Sequence, residues 1–376
     1  MRIGISTLVT IPGGIGGIQT YLQKLIENLA KIDKENEYFL FAAPWNEDLF
    51  KIKQKNFKKL ICRVPAKPLF LRVLYEQILL PLLAWRNKID VFHFPANFSL
   101  SIPFCPSVLT LHDITPLVSL ELIPPVPRYY WKLAYKLSTR RVDSIITVSY
   151  SSKEDIAKFL AVPEEKIKVI YHGNRPRTLE IKDESISNLY QNKKEKFPYI
   201  LWVGKMYTHK NLPRLLRAYS KLVKTWHIKH QLVLCGMKGW GYSSFMETVK
   251  ELNLQDRVIF KGYLPDNELE LVYSNASLFI FPSLSEGFGL PILEAMSYGV
   301  PVITSNYGSM AEVAGDAALL VDPYNIDKIA EAMYKVLTDQ DLRKNLINKG
   351  LERAKQFSWE KTAKETLGVY KEVYGK

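Results

Sequence analysis

The sequence predicts an α/β protein built from two doubly wound, Rossmann-like domains facing a cleft. Length is the first reason: 376 residues exceed what one compact core usually organises and suit two domains. The second is that short apolar runs alternate with longer amphipathic segments, the pattern of parallel sheets covered on both faces. The third is that one polar stretch without clear periodicity, 175–196, carrying Lys193, Lys194 and Lys196, interrupts the alternation, which then restarts.

In the first half, apolar runs predict strands at 2–8, 37–43, 58–64, 89–94, 106–112 and 143–149. Between them, helical spacing of apolar residues predicts helices at 17–32, 68–86, 126–141 and 150–160. In the second half, strands are expected at 198–204, 231–236, 257–261, 277–281 and 301–304. Helices are expected at 211–224, 241–252, 266–274, 289–298, 325–337, 340–356 and 359–374. The domains are accordingly 1–174, the linker 175–196, a second domain 197–357 and a final helical segment 358–376. In doubly wound domains ligands bind at the carboxyl ends of the strands.

Composition narrows the class. Hydrophobic residues make up 47% and charged residues 24%, which excludes a disordered or fibrous chain. The longest apolar stretch, Leu69 to Trp85, is broken by Arg72, Glu76, Gln77 and Pro81, so it does not read as a bilayer-spanning helix. The N-terminus runs directly into a strand with no secretory pattern, and a cytoplasmic protein is expected. Cys62, Cys105 and Cys235 are widely spaced and odd in number, and read as reduced, buried thiols. The net charge is +13, and residues 1–185 hold 26 basic against 18 acidic residues. Such a balance attracts nucleotides, nucleic acid or anionic lipid alike. Lys51, Lys53, Lys55, Lys58 and Lys59 form the cluster expected to meet an anionic membrane, with a solvated loop as the plainer alternative.

Four segments can carry chemistry. Gly13-Gly14-Ile15-Gly16-Gly17 follows the first strand and precedes a helix, where backbone N–H groups can approach a phosphate, or form a simple tight turn. Its spacing departs from the dinucleotide fingerprint, because Gln19 stands where a third glycine is required, and no P-loop lysine follows. His112 leaves the carboxyl end of an apolar strand, placed to bond a polar substrate or to tether its own loop. His93, flanked by phenylalanines, reads as a core residue. Lys205 and Lys210 flank a strand-to-helix turn and can neutralise a diphosphate, or be ordinary surface lysines. Ser285 to Glu294 places glycines and Pro291 at a helix start, with Glu286 before the helix and Glu294 about one turn inside it. Two such carboxylates can grip separate hydroxyl groups of one ligand, or serve the helix dipole and its surface.

Together these segments resemble the family-4 retaining glycosyltransferases. Glu286 through Glu294 matches the E-x7-E signature, Gly16-Gly17-Ile18-Gln19 the first glycine loop, His112 the cleft histidine, and Lys210-Asn211 the lysine position. Arg72 to Gln77, Phe94 to Asn97, Gly236 to Trp240 and Glu312 to Pro323 look like a mannosyltransferase-like bacterial branch. Two features depart from the pattern: Lys205 stands where arginine is frequent, and Tyr171-His172-Gly173-Asn174 replaces the usual turn there.

The resemblance implies a GT-B fold, a metal-independent reaction, and a C-terminal helix returning to the first domain. It implies Glu294 on the donor ribose, Glu286 on the transferred sugar, and the N–H groups of Phe288, Gly289 and Leu290 facing sugar and phosphate. Lys205 and Lys210 would meet the diphosphate, Gly16 and Gly17 would touch it or the sugar from the first domain, and His112 would bind the sugar. The expected reaction moves mannose from GDP-mannose to a growing lipid-linked or cell-surface glycan, in the cytoplasm at the inner membrane face. No further cofactor is implied. UDP-sugar-dependent glucosyl or N-acetylglucosaminyl transfer and dTDP-rhamnosyl transfer are the alternatives within this class. A nicotinamide oxidoreductase is disfavoured by the glycine spacing, and a nucleic-acid binder by the lack of a recognition motif.

Overall fold

The computed structural model describes residues 1–10, 16–64, 69–98, 104–118, 125–175 and 198–375, with side chains from Tyr75 and Tyr129 onward in the two helices that open at Leu69 and Pro125. Apart from Arg175, the linker expected over 175–196 lies outside these residues, as do Gly13, Gly14 and Ile15. Contacts divide the chain into two compact units, Met1–Gly173 together with Ser358–Lys376, and Asn174–Phe357.

The first unit is a parallel sheet of β1 (Arg2–Ser6), β2 (Glu37–Ala42), β3 (Phe57–Ile61), β4 (Val91–Phe94), β5 (Ser107–Thr110), β6 (Ser144–Thr147) and β7 (Ile167–Val169). Its order is β3-β2-β1-β4-β5-β6-β7, so the strand order reverses between β1 and β4. The helices are α1 (Gly17–Ile32), α2 (Leu69–Arg86), α3 (Thr115–Val118), α4 (Pro125–Arg141), α5 (Tyr150–Leu160) and the C-terminal α13 (Trp359–Tyr374). Right-handed crossovers put α2 and α4 on the same face of the sheet. There Leu80 and Ala84 of α2 and Tyr135 of α4 join one core cluster with Phe92, Leu109 and Ile145.

The C-terminal helix α13 is tied into this unit by specific bonds. Thr362 Oγ1 donates to the Tyr171 carbonyl at 2.7 Å, and Tyr370 Oη lies 2.7 Å from His93 Nδ1. Gly173 makes the fit possible: a Cβ there would lie 2.1 Å from the Trp359 backbone nitrogen. Any larger residue forces the helix away.

The second unit repeats the plan. Its strands are β8 (Tyr199–Val203), β9 (Gln231–Cys235), β10 (Val258–Gly262), β11 (Leu278–Phe281), β12 (Val302–Ser305) and β13 (Leu319–Val321). All pair parallel in the order β10-β9-β8-β11-β12-β13, reversing between β8 and β11. The helices are α6 (Leu212–Trp226), α7 (Tyr242–Glu251), α8 (Asp266–Ser274), α9 (Leu290–Ser297), α10 (Gly308–Ala314), α11 (Ile326–Thr338) and α12 (Gln340–Lys355).

The expected strands and helices are present within a few residues of their predicted bounds. The structure adds β7, β13, α3 and α10, pieces of three to seven residues too short to show a period. The strand expected to run through His112 ends at Thr110, after which the Leu111 amide still bonds Ile146. All three cysteines are free thiols; Cys62 and Cys235 are buried, whereas Cys105 is only half-buried. No helix among the described residues is long and apolar enough to cross a membrane.

Candidate active site

In the second unit the predicted residues cluster at the carboxyl ends of β8 and β11, where the strand order reverses. A crevice opens at such a point because successive connections leave in opposite directions. The segment after β8 is held against the segment after β9 so closely that a Cβ on Gly236 would lie 1.9 Å from the Gly204 carbonyl oxygen. The Met206 amide also donates to Met237 at 3.0 Å. Lys205 therefore leaves a fixed turn, with its ammonium 4.9 Å from the Tyr207 ring centroid.

A 3-10 turn over Thr208–Lys210 ends at Asn211, which adopts φ 61°. The Asn211 side-chain amide donates to the carbonyls of Pro282 at 3.0 Å and Pro323 at 2.7 Å. This residue, which sequence reasoning treated only as a neighbour of Lys210, ties the β8 segment to the ends of β11 and β13. Lys210 is thereby aimed at Glu286, with which it forms an ion pair, its ammonium also 4.8 Å from the Phe281 ring. Both side chains are mostly buried, 12% and 13% exposed. The Glu286 carbonyl accepts from Ser309 Oγ at 2.7 Å, fixing the loop that carries the carboxylate.

Beyond Glu286 the chain prepares a helix start. Phe288 is buried with its ring edge-on to Phe357 at 5.9 Å. Gly289 takes φ 100°, which disfavours any residue with a Cβ, and Pro291 occupies the first turn of α9. Leu290 opens α9, and the first N–H of a helix has no partner within it, so this helix start suits an anion or a polar oxygen. One turn into α9, Glu294 Oε2 accepts from Tyr273 Oη at 2.9 Å, and Oε1 lies 3.6 Å from Arg175 Nε. Arg175 also reaches Asp266 at 2.9 Å. Burial raises the Glu294 carboxyl above its ordinary value, opposed by Arg175 and then by the Tyr273 hydroxyl. Arg175, Tyr273 and Asp266 were missed from the sequence, because nothing local marks residues brought together from such distant positions.

In the first unit, Gly16 and Gly17 open α1 and are exposed, with no atom of the described residues, chain neighbours and the helix's own backbone aside, within 4 Å of where a Cβ would stand. Neither is glycine for packing reasons. His112, past the end of β5, is buried; its Nε2 lies 3.1 Å from the Pro95 carbonyl, and its amide donates to Asn97 Oδ1 at 3.2 Å. The imidazole thus ties the loops after β4 and β5 together, the tethering role weighed from the sequence. Its ring lies edge-on to Tyr21 at 4.8 Å and near His172 at 5.3 Å. His93, a core residue as expected, links Thr110 at 2.8 Å and Tyr370 at 2.7 Å, and Thr110 continues to Tyr21 at 3.0 Å. Burial lowers all three imidazoles, His93 to about 3, His172 well below its ordinary value and His112 below it, so they are uncharged at neutral pH. Among the described residues no three His, Cys, Asp or Glu side chains gather as a metal ion would need.

Comparison with known proteins agrees with this geometry. Residues 15–175 match the model of Glycosyltransferase Family 4, and residues 187–353 that of Glycosyl transferases group 1. The O-antigen chain mannosyltransferase B of Escherichia coli is 32% identical over 368 residues, covering 94% of this chain and 96% of the relative. The O-antigen chain mannosyltransferase RfbU of Salmonella typhimurium is 32% identical over 263 residues, 66% of this chain and 69% of that one. Among solved structures, the sucrose-phosphate synthase of Thermosynechococcus elongatus superposes with a TM-score of 0.78 at 21% identity, covering 100% of this chain and 99% of the other. The chain belongs to the family-4 glycosyltransferases and has their GT-B type of fold.

Proposed function

We propose that the protein transfers mannose from GDP-mannose, with retention of anomeric configuration, to a growing lipid-linked or cell-surface glycan. The observation that carries this reading is the Lys210–Glu286 pair at the reversal point between β8 and β11. The relative named as an O-antigen chain mannosyltransferase, matched over 94% of the chain, supports the choice of sugar and acceptor class.

In this reading the departing diphosphate takes Lys210 and Lys205 as counter-charges and the Phe288–Leu290 amides as hydrogen-bond donors. Charge developing on the leaving group then meets dipoles and cations already in place. Glu286, relieved of Lys210, accepts from the hydroxyls of the transferred sugar, and Glu294 accepts from the ribose. The acceptor hydroxyl attacks the anomeric carbon on the face from which the diphosphate leaves. A new carbon–oxygen bond forms, the carbon–phosphate-oxygen bond breaks, and the hydroxyl proton passes to the departing phosphate. The first unit contributes the Gly16 and Gly17 backbone to the donor and His112, uncharged, to the sugar. The reading invokes no divalent cation, and turnover is expected to persist in excess chelator. An acceptor carried on lipid places the enzyme in the cytoplasm at the inner membrane face.

Nucleotide-dependent melting tests the donor site. A ligand at one hundred times its dissociation constant adds about 2.7 kcal/mol to the native state. GDP is expected to stabilise at least as well as UDP, and NAD not at all. Stabilisation by NAD alone would overturn transfer from a nucleotide sugar, and UDP clearly exceeding GDP would overturn GDP-mannose. Glu294→Ala is expected to shrink the GDP shift. The anomeric configuration of the trapped product decides between retention and inversion.

A further inference from the structure

We infer that the outward face of α2 and α4 in the first unit is a docking surface for a membrane rich in anionic lipid. On α2, Ile78, Leu82 and Trp85 are 53%, 57% and 76% exposed. On α4, Tyr130, Leu133 and Leu137 are 55%, 60% and 42% exposed. Each set recurs at helical spacing on the side away from the residues that anchor its helix, Leu80 and Ala84 on α2 and Tyr135 on α4. Both helices pack on one face of the sheet, so both stripes point outward from it. Exposed apolar clusters of this kind on a folded surface mark an interaction site.

Charge selects the occupant. The sequence of α4 has five basic residues, Arg128, Lys132, Lys136, Arg140 and Arg141, and no acidic one. Lys132, Arg140 and Arg141 are exposed, as is Arg86 at the end of α2, and Lys136 is half-buried. Among the described residues Arg86, Lys132, Lys136, Arg140 and Arg141 make no ion pair with the protein's own carboxylates. Unpaired cations beside Trp, Tyr and Leu match the headgroup region, where rings insert and basic side chains meet phosphates. The lysine cluster first expected to do this is less suited. Lys58 is paired with Glu37 at 2.9 Å, and Lys59 donates to the Glu47 carbonyl at 2.8 Å.

The inference gives the membrane partner of the proposed function a location, and its test needs no donor or acceptor. The full chain is floated with vesicles of phosphatidylcholine alone or mixed with phosphatidylglycerol, at low and high salt. Wild type is expected to bind the anionic vesicles and to release at high salt. The triple variant Leu82→Ser, Trp85→Ser, Leu133→Ser is expected to lose at least tenfold in partition. Lys132→Gln with Arg140→Gln is expected to lose roughly fivefold per charge. Lys51→Gln, Lys53→Gln and Lys55→Gln together are expected to change it little. All these side chains are exposed, and an unchanged melting temperature with an unchanged GDP shift shows that each variant is folded. Absence of vesicle binding by wild type, or loss confined to the Lys51–Lys55 variant, overturns the inference. So does concentration-dependent self-association abolished by the triple variant without vesicle binding, which would make the face a subunit interface. Failure of the GDP shift with vesicle binding intact would overturn the donor reading alone.

Discussion

At the strand ends of the first unit His93 and His112 sit in an uncharged network of rings and hydroxyls, whereas the second unit sets ion pairs beside its uncharged Asn211 and Ser305. His93, Thr110, Tyr21 and Tyr370 form one hydrogen-bonded chain from the sheet to the C-terminal helix, with His112 beside it on the Pro95 carbonyl. Lys210 holds Glu286, and Arg175 with Tyr273 holds Glu294. Burying an imidazole costs little while it stays neutral; burying a carboxylate is tolerable only beside a cation or a donor. The first arrangement fastens α13 to the sheet through Tyr370 and His93. Under the proposed function, a ligand with phosphate and hydroxyl groups would offer Lys210 and Glu286 new partners in place of each other.

The largest effect that would sharpen this contrast is expected at Gly173. Gly173→Ala drives a methyl into the Trp359 backbone and should cost several kcal/mol, about 3 or more, through displacement of α13. Limited proteolysis should then release fragments of the first unit while the second stays protected. Equal protection of both would mean that α13 docks independently of this contact.

Glu286→Gln tests the second unit. Charge-assisted hydrogen bonds contribute about 1.5–3 kcal/mol, so kcat/KM is expected to fall by one to two decades while GDP still stabilises the protein. Near-normal kcat/KM would remove Glu286 from the reaction and leave its pairing with Lys210 structural.

Acid separates the units next. A buried histidine whose folded pKa is depressed binds fewer protons than in the unfolded chain. Its stability contribution is complete above the unfolded value near 6.5 and is lost as pH falls below it. For His93, depressed to about 3, the loss is up to about 1.4 kcal/mol per pH unit below 6.5. His112 and His172 shift in the same direction through burial. Glu294, raised by burial, runs the other way: the folded form holds its proton more tightly, so acid relieves the second unit there. Denaturant titrations between pH 7 and 5 should show the first unit weakening first. Parallel weakening of both would break the comparison.

The smallest effect is at Gly17, which has open space beside it at the start of α1. Gly17→Ala should leave stability unchanged or raise it by up to about 1 kcal/mol, as for alanine at a compatible helical position. Because the proposed role of this backbone is close approach to the donor, turnover should nonetheless fall. Unchanged turnover would leave the glycine without the role the resemblance implies.

Much of this molecule is legible in the chain because the signals are local. The strand-to-helix turn at Gly289 and Pro291 and the helix of 359–374 follow from neighbouring residues, where backbone freedom and apolar spacing decide the conformation. β7 and β13 are different: three residues carry no period, and they are strands only because β6 and β12 offer an edge to pair with. Partners are likewise a tertiary matter. The sequence marks Lys210 and Glu286 as separate candidates 76 positions apart, and their pairing depends on Asn211 stitching the β8 segment to Pro282. Arg175 and Glu294, and Tyr370 and His93, are further apart still. The sequence by itself determined the two doubly wound domains and the residue types at their strand ends, since these rest on spacing along the chain. Which carboxylate meets which cation, and which imidazole stays neutral, was decided only in the fold, because ion pairing and desolvation act through space and grow strong only where packing removes water.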